Sequence, residues 1–410
     1  MSGVRKFCLL SVAFCALACG AGAPAAASSF SSIHSFTGSD GQQPSAALVA
    51  DSAGRLYGTT FSGGQFSGGS VFRLTKSGTT WTEEVLYSFP GSSGVRGGVL
   101  IGPSGELYGT TVFGGTFASG TVWRLDPNGS SWTLTTLHMF NPAGGGDGYY
   151  PNAGLVFGKG GLLYGTTMGQ QPQDGEQPKQ SPMYGTVFSV SPNGDPVEYA
   201  LLHVFGGTND GQFPGFGRLA VDNKGVLTGT TQLGGKLSDG TAFRLAPPKK
   251  NQSVWSETVL HNFGATGDAV GPFTGVVRGL NGAFYGCASW GKNGFGAVYS
   301  LTAESEQVLY NFGDQRGDPS AASVCAVTVD ATGTLYGTAN SGGANGKGAV
   351  FKVTPPAAGQ TDWTETVLHS FTGSDGQSPS SAPLKRAKVL YGVTDLGGTG
   401  AKGTAYTLTP

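Results

Sequence analysis

Charge is scarce in this sequence. Asp, Glu, Lys and Arg make up 12% of 410 residues and leave a formal net charge of −1, whereas ordinary globular domains carry about 25% charged residues. A nucleic-acid partner is therefore not expected, because it requires a basic footprint. Disorder driven by self-repulsion is not expected either, since aromatic residues reach 11%. Cysteine is also rare. Of the five, Cys8, Cys15 and Cys19 fall near the N-terminus and only Cys287 and Cys325 lie beyond it, so a disulfide-dense scaffold is excluded. One apolar run stands out, 7–19, and its 13 residues are too few to cross a bilayer. No other stretch approaches about 18 apolar residues, and no membrane span is expected. Glycine is what the chain has in excess, 72 residues with no Gly-x-y period. That excludes collagen and points to a turn-rich, all-β protein.

Arg5 and Lys6 precede the apolar run, and Ala25-Ala26-Ala27 follow it. This is the layout of an export signal. Residues 1–27 are expected to be a signal peptide cleaved after Ala27, which makes the mature protein secreted or periplasmic. The alternative is a lipid anchor at Cys19, preceded by Ala16-Leu17-Ala18. There the leucine stands one place too close to the cysteine for a good lipoprotein signal.

The rest of the chain repeats itself. LYGTT at 56–60 recurs at 107–111 and 163–167, then as LTGTT at 227–231, FYGCA at 284–288, LYGTA at 335–339 and LYGVT at 390–394. Each copy is followed by a second motif of the type GSVFRL (69–74) or GTVWRL (120–125), again seven times. A third motif, Leu-His/Tyr-x-Phe, follows six of them, and a seventh copy, IHSF at 33–36, stands alone at the mature N-terminus. These segments are short, rich in Val, Thr, Tyr, Phe and Trp, and bounded by turn residues, as strands are. A fourth strand precedes each LYGTT, joined to it by turns such as Asp51-Ser52-Ala53-Gly54.

Four strands in each of seven units predict a seven-bladed β-propeller. The displaced IHSF copy predicts how the ring closes. The chain starts with the outer strand of a blade and ends with the third, so the N-terminal strand completes the last blade, a velcro closure that leaves no open edges. One domain over 28–410 is expected. A glycine holds the same strand position in all seven copies (Gly58, Gly109, Gly165, Gly229, Gly286, Gly337, Gly392). The expected reason is close approach of neighbouring backbones.

WTETVLHSFTGSDGQSP at 363–379 and LYGTANSGGANGKGAVFKVTP at 335–355 carry a family resemblance that extends over essentially the whole mature chain. It resembles the choice-of-anchor tandem repeat (GloVer-repeat) family of exported bacterial proteins. The resemblance implies export and, in most members, a C-terminal surface-sorting anchor, a segment not seen before Pro410. It implies no chemistry for particular residues.

The connectivity puts the Gly-rich loops after LYGTT and the Asp-Gly loops between blades on one face. Asp40, Asp147, Asp210 and Asp375 recur there. They read either as a ring of carboxylates for Ca²⁺ or sugar hydroxyls, or as turn formers repeated with the turn. The turn reading is preferred, and no cofactor is expected. All five histidines, His34, His138, His203, His261 and His369, share one strand position that Tyr87 and Tyr310 fill in two blades. Tyrosine replaces a zinc-ligating imidazole poorly, so a structural hydrogen bond inside the blade is expected. Cys287 and Cys325 fall on one ring face in adjacent blades, either bonded or as two buried small hydrophobes.

Departures from the repeat are the better functional candidates. The third blade has a long insertion, 168–184, with Asp174 and Glu176, and the loop before it carries Asp147, Tyr149 and Tyr150. Trp290 is the one tryptophan in a loop after LYGTT. Tyr and Trp beside carboxylates suit a glycan or protein ligand. The chain is thus read as a monomeric, non-catalytic binding module. The alternative is a propeller enzyme acting on polysaccharide, either a lyase or a glycoside hydrolase, the latter needing two carboxylates about 5–10 Å apart.

Overall fold

The computed structural model describes residues 28–410 apart from 92, 142–146, 170–183, 195, 303–304 and 314–317, with backbone alone for 320–323. Its strands form seven antiparallel sheets. In chain order the blades cover 49–90, 100–139, 156–204, 212–262, 277–311 and 319–370. The seventh combines 384–409 with the N-terminal strand Ser29–Ser35. Within a blade the order from the axis outward is the short inner strand, LYGTT, GTVFRL and the Leu-His-x-Phe strand. In blade 4 an extra short piece, Gln212–Pro214, pairs with the far end of the second strand. Among the described residues no helix is long and apolar enough to cross a membrane.

Closure occurs as the displaced motif predicts. Ser29–Ser35 pairs antiparallel with Thr404–Thr409, from Ser29 against Thr409 to Ser35 against Thr404. The ring is held by seven apolar clusters, one for each pair of neighbouring blades, including the pair formed by the last blade and the first. Every cluster is built the same way. The Phe of each Leu-His-x-Phe motif crosses to the next blade and packs on the aromatic residue of its third strand. Phe36 meets Phe72 at 5.0 Å between ring centroids, Phe140 meets Phe188 at 5.2 Å, and Phe371 meets Tyr406 at 5.4 Å. Such ring pairs contribute packing beyond their buried area.

The repeated glycine follows from that aromatic residue, which corrects the expectation of backbone approach. A Cβ at Gly58 would lie 2.4 Å from the ring of Phe72, and one at Gly392 would lie 2.3 Å from Tyr406. The third-strand ring of the same blade lies across the glycine, and any side chain there would expel it from the seam.

The two cysteines beyond the N-terminus are bonded. Cys287, in the second strand of blade 5, and Cys325, in the inner strand of blade 6, have Cα atoms 5.5 Å apart. The bond joins adjacent blades within the apolar cluster between them.

Candidate functional site

The histidines belong to the seams. His34, His138, His203, His261 and His369 each place Nε2 within 2.8–3.2 Å of a carboxylate in the loop that follows: Asp40, Asp147, Asp210, Asp268 and Asp375. Tyr310 does the same, its hydroxyl donating to Asp318 at 3.1 Å. The hydrogen bond thus reaches the inter-blade loop. These aspartates also accept backbone N–H groups at the turn, as Asp40 does from Thr37 and Asp375 from Thr372. Burial opposes ionisation of Asp40. The Thr37 N–H and hydroxyl and the His34 ring outweigh it and hold the pKa below its usual value. Each of Asp40, Asp147, Asp210 and Asp375 is engaged by its own histidine at its own seam, so the four do not converge on one ion.

A third group reaches these pairs from the next blade, four residues before its own His or Tyr. Glu83 faces His34 and Asp40, and Glu306 faces His261 and Asp268, with ligand-type atoms all within 4.8 Å in each trio. These two trios are the described sets that could hold a metal. Equivalent seams use aromatic residues instead: Tyr199 stacks on His138 at 3.9 Å and Phe30 on His369 at 3.8 Å. A position filled by Glu, Tyr or Phe serves packing first. Burial, with the charge of Asp40, pushes Glu83 up to about 7. Burial, with Asp318, pushes Glu365 up to about 8. Sequence reading missed Asp268 and Asp318 because Ala269 and Pro319 follow them where glycine follows the others.

The loop face carries an arc of aromatic residues. Tyr149 and Tyr150 are half-buried, with ring centroids 5.9 Å apart, and Tyr150 meets Phe113 edge-on at 5.3 Å. Phe113 and Phe117 on the adjoining loop are 36% and 48% exposed. Gly94 lies between Phe113 and Phe61, where a Cβ would fall 3.3 and 2.9 Å from the two rings. Phe61 then packs against the Arg96 guanidinium at 5.3 Å, whose other ring contact is Phe216 at 4.9 Å. Phe216 stacks on Phe273 at 4.5 Å. The arc therefore runs from the loops of blades 2 and 3 to the mouth of the central channel. Trp290, 49% exposed, sits on the same face in blade 5, with blades 3 and 4 between it and the tyrosines. Asp174 and Glu176 lie outside the described residues.

The channel itself encloses about 660 Å³ and is walled by the inner strands of six blades and by Arg96 and Gly97, which lead into the inner strand of blade 2. Arg96, Arg218, Asn152, Ser45, Phe216 and Phe273 line its loop-face half. Burial lowers the pKa of Arg218 to about 10, which leaves it charged at neutral pH. Beside the mouth, Asp395 accepts the Ser380 hydroxyl at 2.6 Å. Burial pushes Asp395 up to about 6, against the pull of Ser380 and Arg96.

A seven-bladed propeller with one aromatic-rich, channel-bearing face is thus the class of protein that fold and site define. The chain belongs to the Gloeobacter/Verrucomicrobia repeat family, whose sequence model matches residues 23–177, 84–277 and 251–410 in overlapping segments. No curated protein sequence matches it. Among solved structures it is similar to the BP39L lectin of Burkholderia pseudomallei, with a TM-score of 0.54 at 11% identity over 89% of this chain and 96% of the lectin. It also resembles a protein of unknown function from Dyadobacter fermentans, at TM-score 0.44, 12% identity and coverage of 93% and 97%. A third similar structure is a provisionally assigned glucose dehydrogenase-type oxidoreductase from Thermus thermophilus, at TM-score 0.41, 16% identity and coverage of 93% and 99%.

Proposed function

We propose that this protein is an exported, non-catalytic binding module that holds a glycan against its loop face. The observation that carries this reading is the aromatic arc Tyr149–Tyr150–Phe113, mounted on loops of a rigid ring. Flat apolar faces with polar edges suit the C–H faces and hydroxyls of a saccharide. A lectin shares the ring architecture, which supports saccharide binding as a use of such a scaffold. The disulfide supports export, because structural disulfides persist in oxidising compartments. A glycoside hydrolase would need a carboxylate pair, and the described channel lining contains neither Asp nor Glu.

The test is a glycan array probed with the mature protein and with a Tyr149→Ala/Tyr150→Ala variant. Loss of about tenfold or more in affinity is expected, as for aromatic anchors of binding sites generally, with the melting temperature almost unchanged. Equal binding by the two proteins, or no binding by either, overturns the proposal.

A further inference from the structure

The inner strands hold one residue that breaks their pattern. Strand register places Ala47, Gly98, Gly154, Gly275, Ala326 and Ala382 two residues before the inner-strand partner of the second LYGTT-type residue (Tyr57, Tyr108, Tyr164, Tyr285, Tyr336 and Tyr391), and blade 4 has Arg218 there, two before the partner of Thr228. Six small residues and one arginine leave the arginine side chain free to cross the channel wall. It passes over blade 3, where a Cβ on Gly154 would lie 2.5 Å from Arg218 Nε. It ends at blade 2, where Nη2 donates to the Val99 carbonyl. Arg218 makes no other hydrogen bond to a described residue, and neither it nor Arg96 forms an ion pair with one.

The charge of the wall is one-sided. Arg96, Arg218, Arg278 and Lys385 line the channel without any lining carboxylate, in a chain whose formal net charge is −1. Lys385 is satisfied by Asp330 at 3.5 Å, which leaves the arginines as the cationic feature of the loop-face half. Arg96 is exposed at the mouth and is drawn by Asp395, whereas the Arg218 guanidinium lies within the wall with no carboxylate beside it, which holds a charge there at a cost.

Uncharged groups at the same place are also unpaired. Asn152, 8% exposed, and Ser381, 8% exposed, line the cavity with Ser45. Asn152 Oδ1, Ser381 Oγ and Ser45 Oγ have no hydrogen-bond partner and almost no accessible surface of their own, so a ligand in the channel meets them by a turn of their side chains toward it. Asn152 Oδ1 can only accept, so the group that satisfies it must donate a hydrogen. A bare inorganic anion has no such donor. A sugar acid has both parts, a carboxylate for the arginines and hydroxyls for Asn152, Ser45 and Ser381.

The geometry points to the loop-face half of the channel as a subsite for a hydroxylated organic acid of uronate type, its carboxylate held by Arg218 and Arg96. The cavity, at about 660 Å³, lies within the usual range for small-ligand sites. Phe216 and Phe273 supply an apolar face at the entrance. The uronate end of a longer glycan would reach this subsite from the aromatic arc. That last link rests on the glycan reading above, whereas the acid subsite itself does not.

Calorimetric titration of the mature protein with D-glucuronate, D-glucose and sodium sulfate, in low-salt buffer without competing anions, tests the inference. The same titrations are made on Arg218→Ala, which restores the residue class of the other six blades and is expected to fold. Glucuronate is expected to bind at least about tenfold more tightly than glucose or sulfate. Arg218→Ala is expected to weaken glucuronate by about tenfold or more, as removal of hydrogen bonds to a charged group does. Added NaCl should weaken the wild type and leave the variant little changed. Three results overturn the inference: glucose or sulfate binding as tightly as glucuronate, the variant binding glucuronate as well as wild type, or no binding of glucuronate. The two readings fail separately. Arg218-dependent glucuronate binding beside an array insensitive to the tyrosines removes the aromatic face as a site and leaves the acid subsite standing. Tyrosine-dependent array binding without glucuronate binding does the reverse.

Discussion

The seams and the channel wall are made of the same seven repeats, yet the polar groups of the seams recur from blade to blade and those of the channel do not. At six of the seven seams a His or Tyr faces an aspartate, from His34–Asp40 at 2.9 Å to Tyr310–Asp318 at 3.1 Å. Those aspartates also take up the N–H groups of their turns. In the channel, Arg218 has one carbonyl partner and Asn152, Ser45 and Ser381 keep unpaired atoms. A polar pair repeated at six seams is part of the framework. Polar groups that occur once and are left unsatisfied are better explained by something outside the chain.

This contrast breaks if seam changes leave stability alone or channel changes lower it. The largest effect is expected from deleting Ser29–Ser35. That removes the partner of Thr404–Thr409 and bares the outer edge of that strand, and thermal unfolding should lose cooperativity or shift down by more than about 10 °C. Next is the Cys287→Ser/Cys325→Ser pair. Releasing a cross-link that spans 38 residues should cost about 3–4 kcal/mol in the chain-entropy account, read from denaturant melts. A smaller effect, and the sharpest for the seams, is pH dependence. Glu83 and Glu365 are raised from a usual 4.5 to about 7 and 8, so the folded state holds their protons more tightly than the unfolded chain does. The stability they contribute is whole below about 4.5 and is lost as pH rises through 7 to 8. Asp40, Asp210 and Asp375 are lowered below 3.8, and their contribution is whole above that value and lost as pH falls beneath it. Melting temperature should therefore peak near pH 4–5 and fall by roughly 5 °C or more by pH 9. Glu365→Gln, which keeps a donor for Asp318 without a titrating proton, should flatten the alkaline limb. The smallest effect on stability is expected from Arg218→Ala, within about 1 kcal/mol of wild type by the same melts.

The ring was legible in the residues themselves because each blade repeats the same words and IHSF at 33–36 stands out of place. Counting copies gave the blade number, and the orphan copy gave the closure. The repeated glycine was visible, but its reason was not. In an antiparallel pair, the residue lying over Gly58 is the side chain of Phe72 on the next strand, a contact that follows from register and ring orientation together. The role of Glu83 was hidden for a similar reason. Its partners, His34 and Asp40, sit in the N-terminal segment that completes the last blade, so the contact crosses the closing seam of the ring. Tyr149 and Tyr150 stood out as departures from the repeat. Arg218 did not, because arginine also occurs in the GTVFRL strands, and its isolation shows only once the seven inner strands are aligned around an axis.

Pairing the earliest strand with the latest sets a timetable for biosynthesis. A ribosome that has made six blades has produced stacked sheets with exposed rims, and the remedy for the final blade has waited since the first moments of translation. Nothing short of the completed polypeptide can seal the circle. Any factor that keeps residues 29–35 occupied would hold the whole assembly ajar until it lets go.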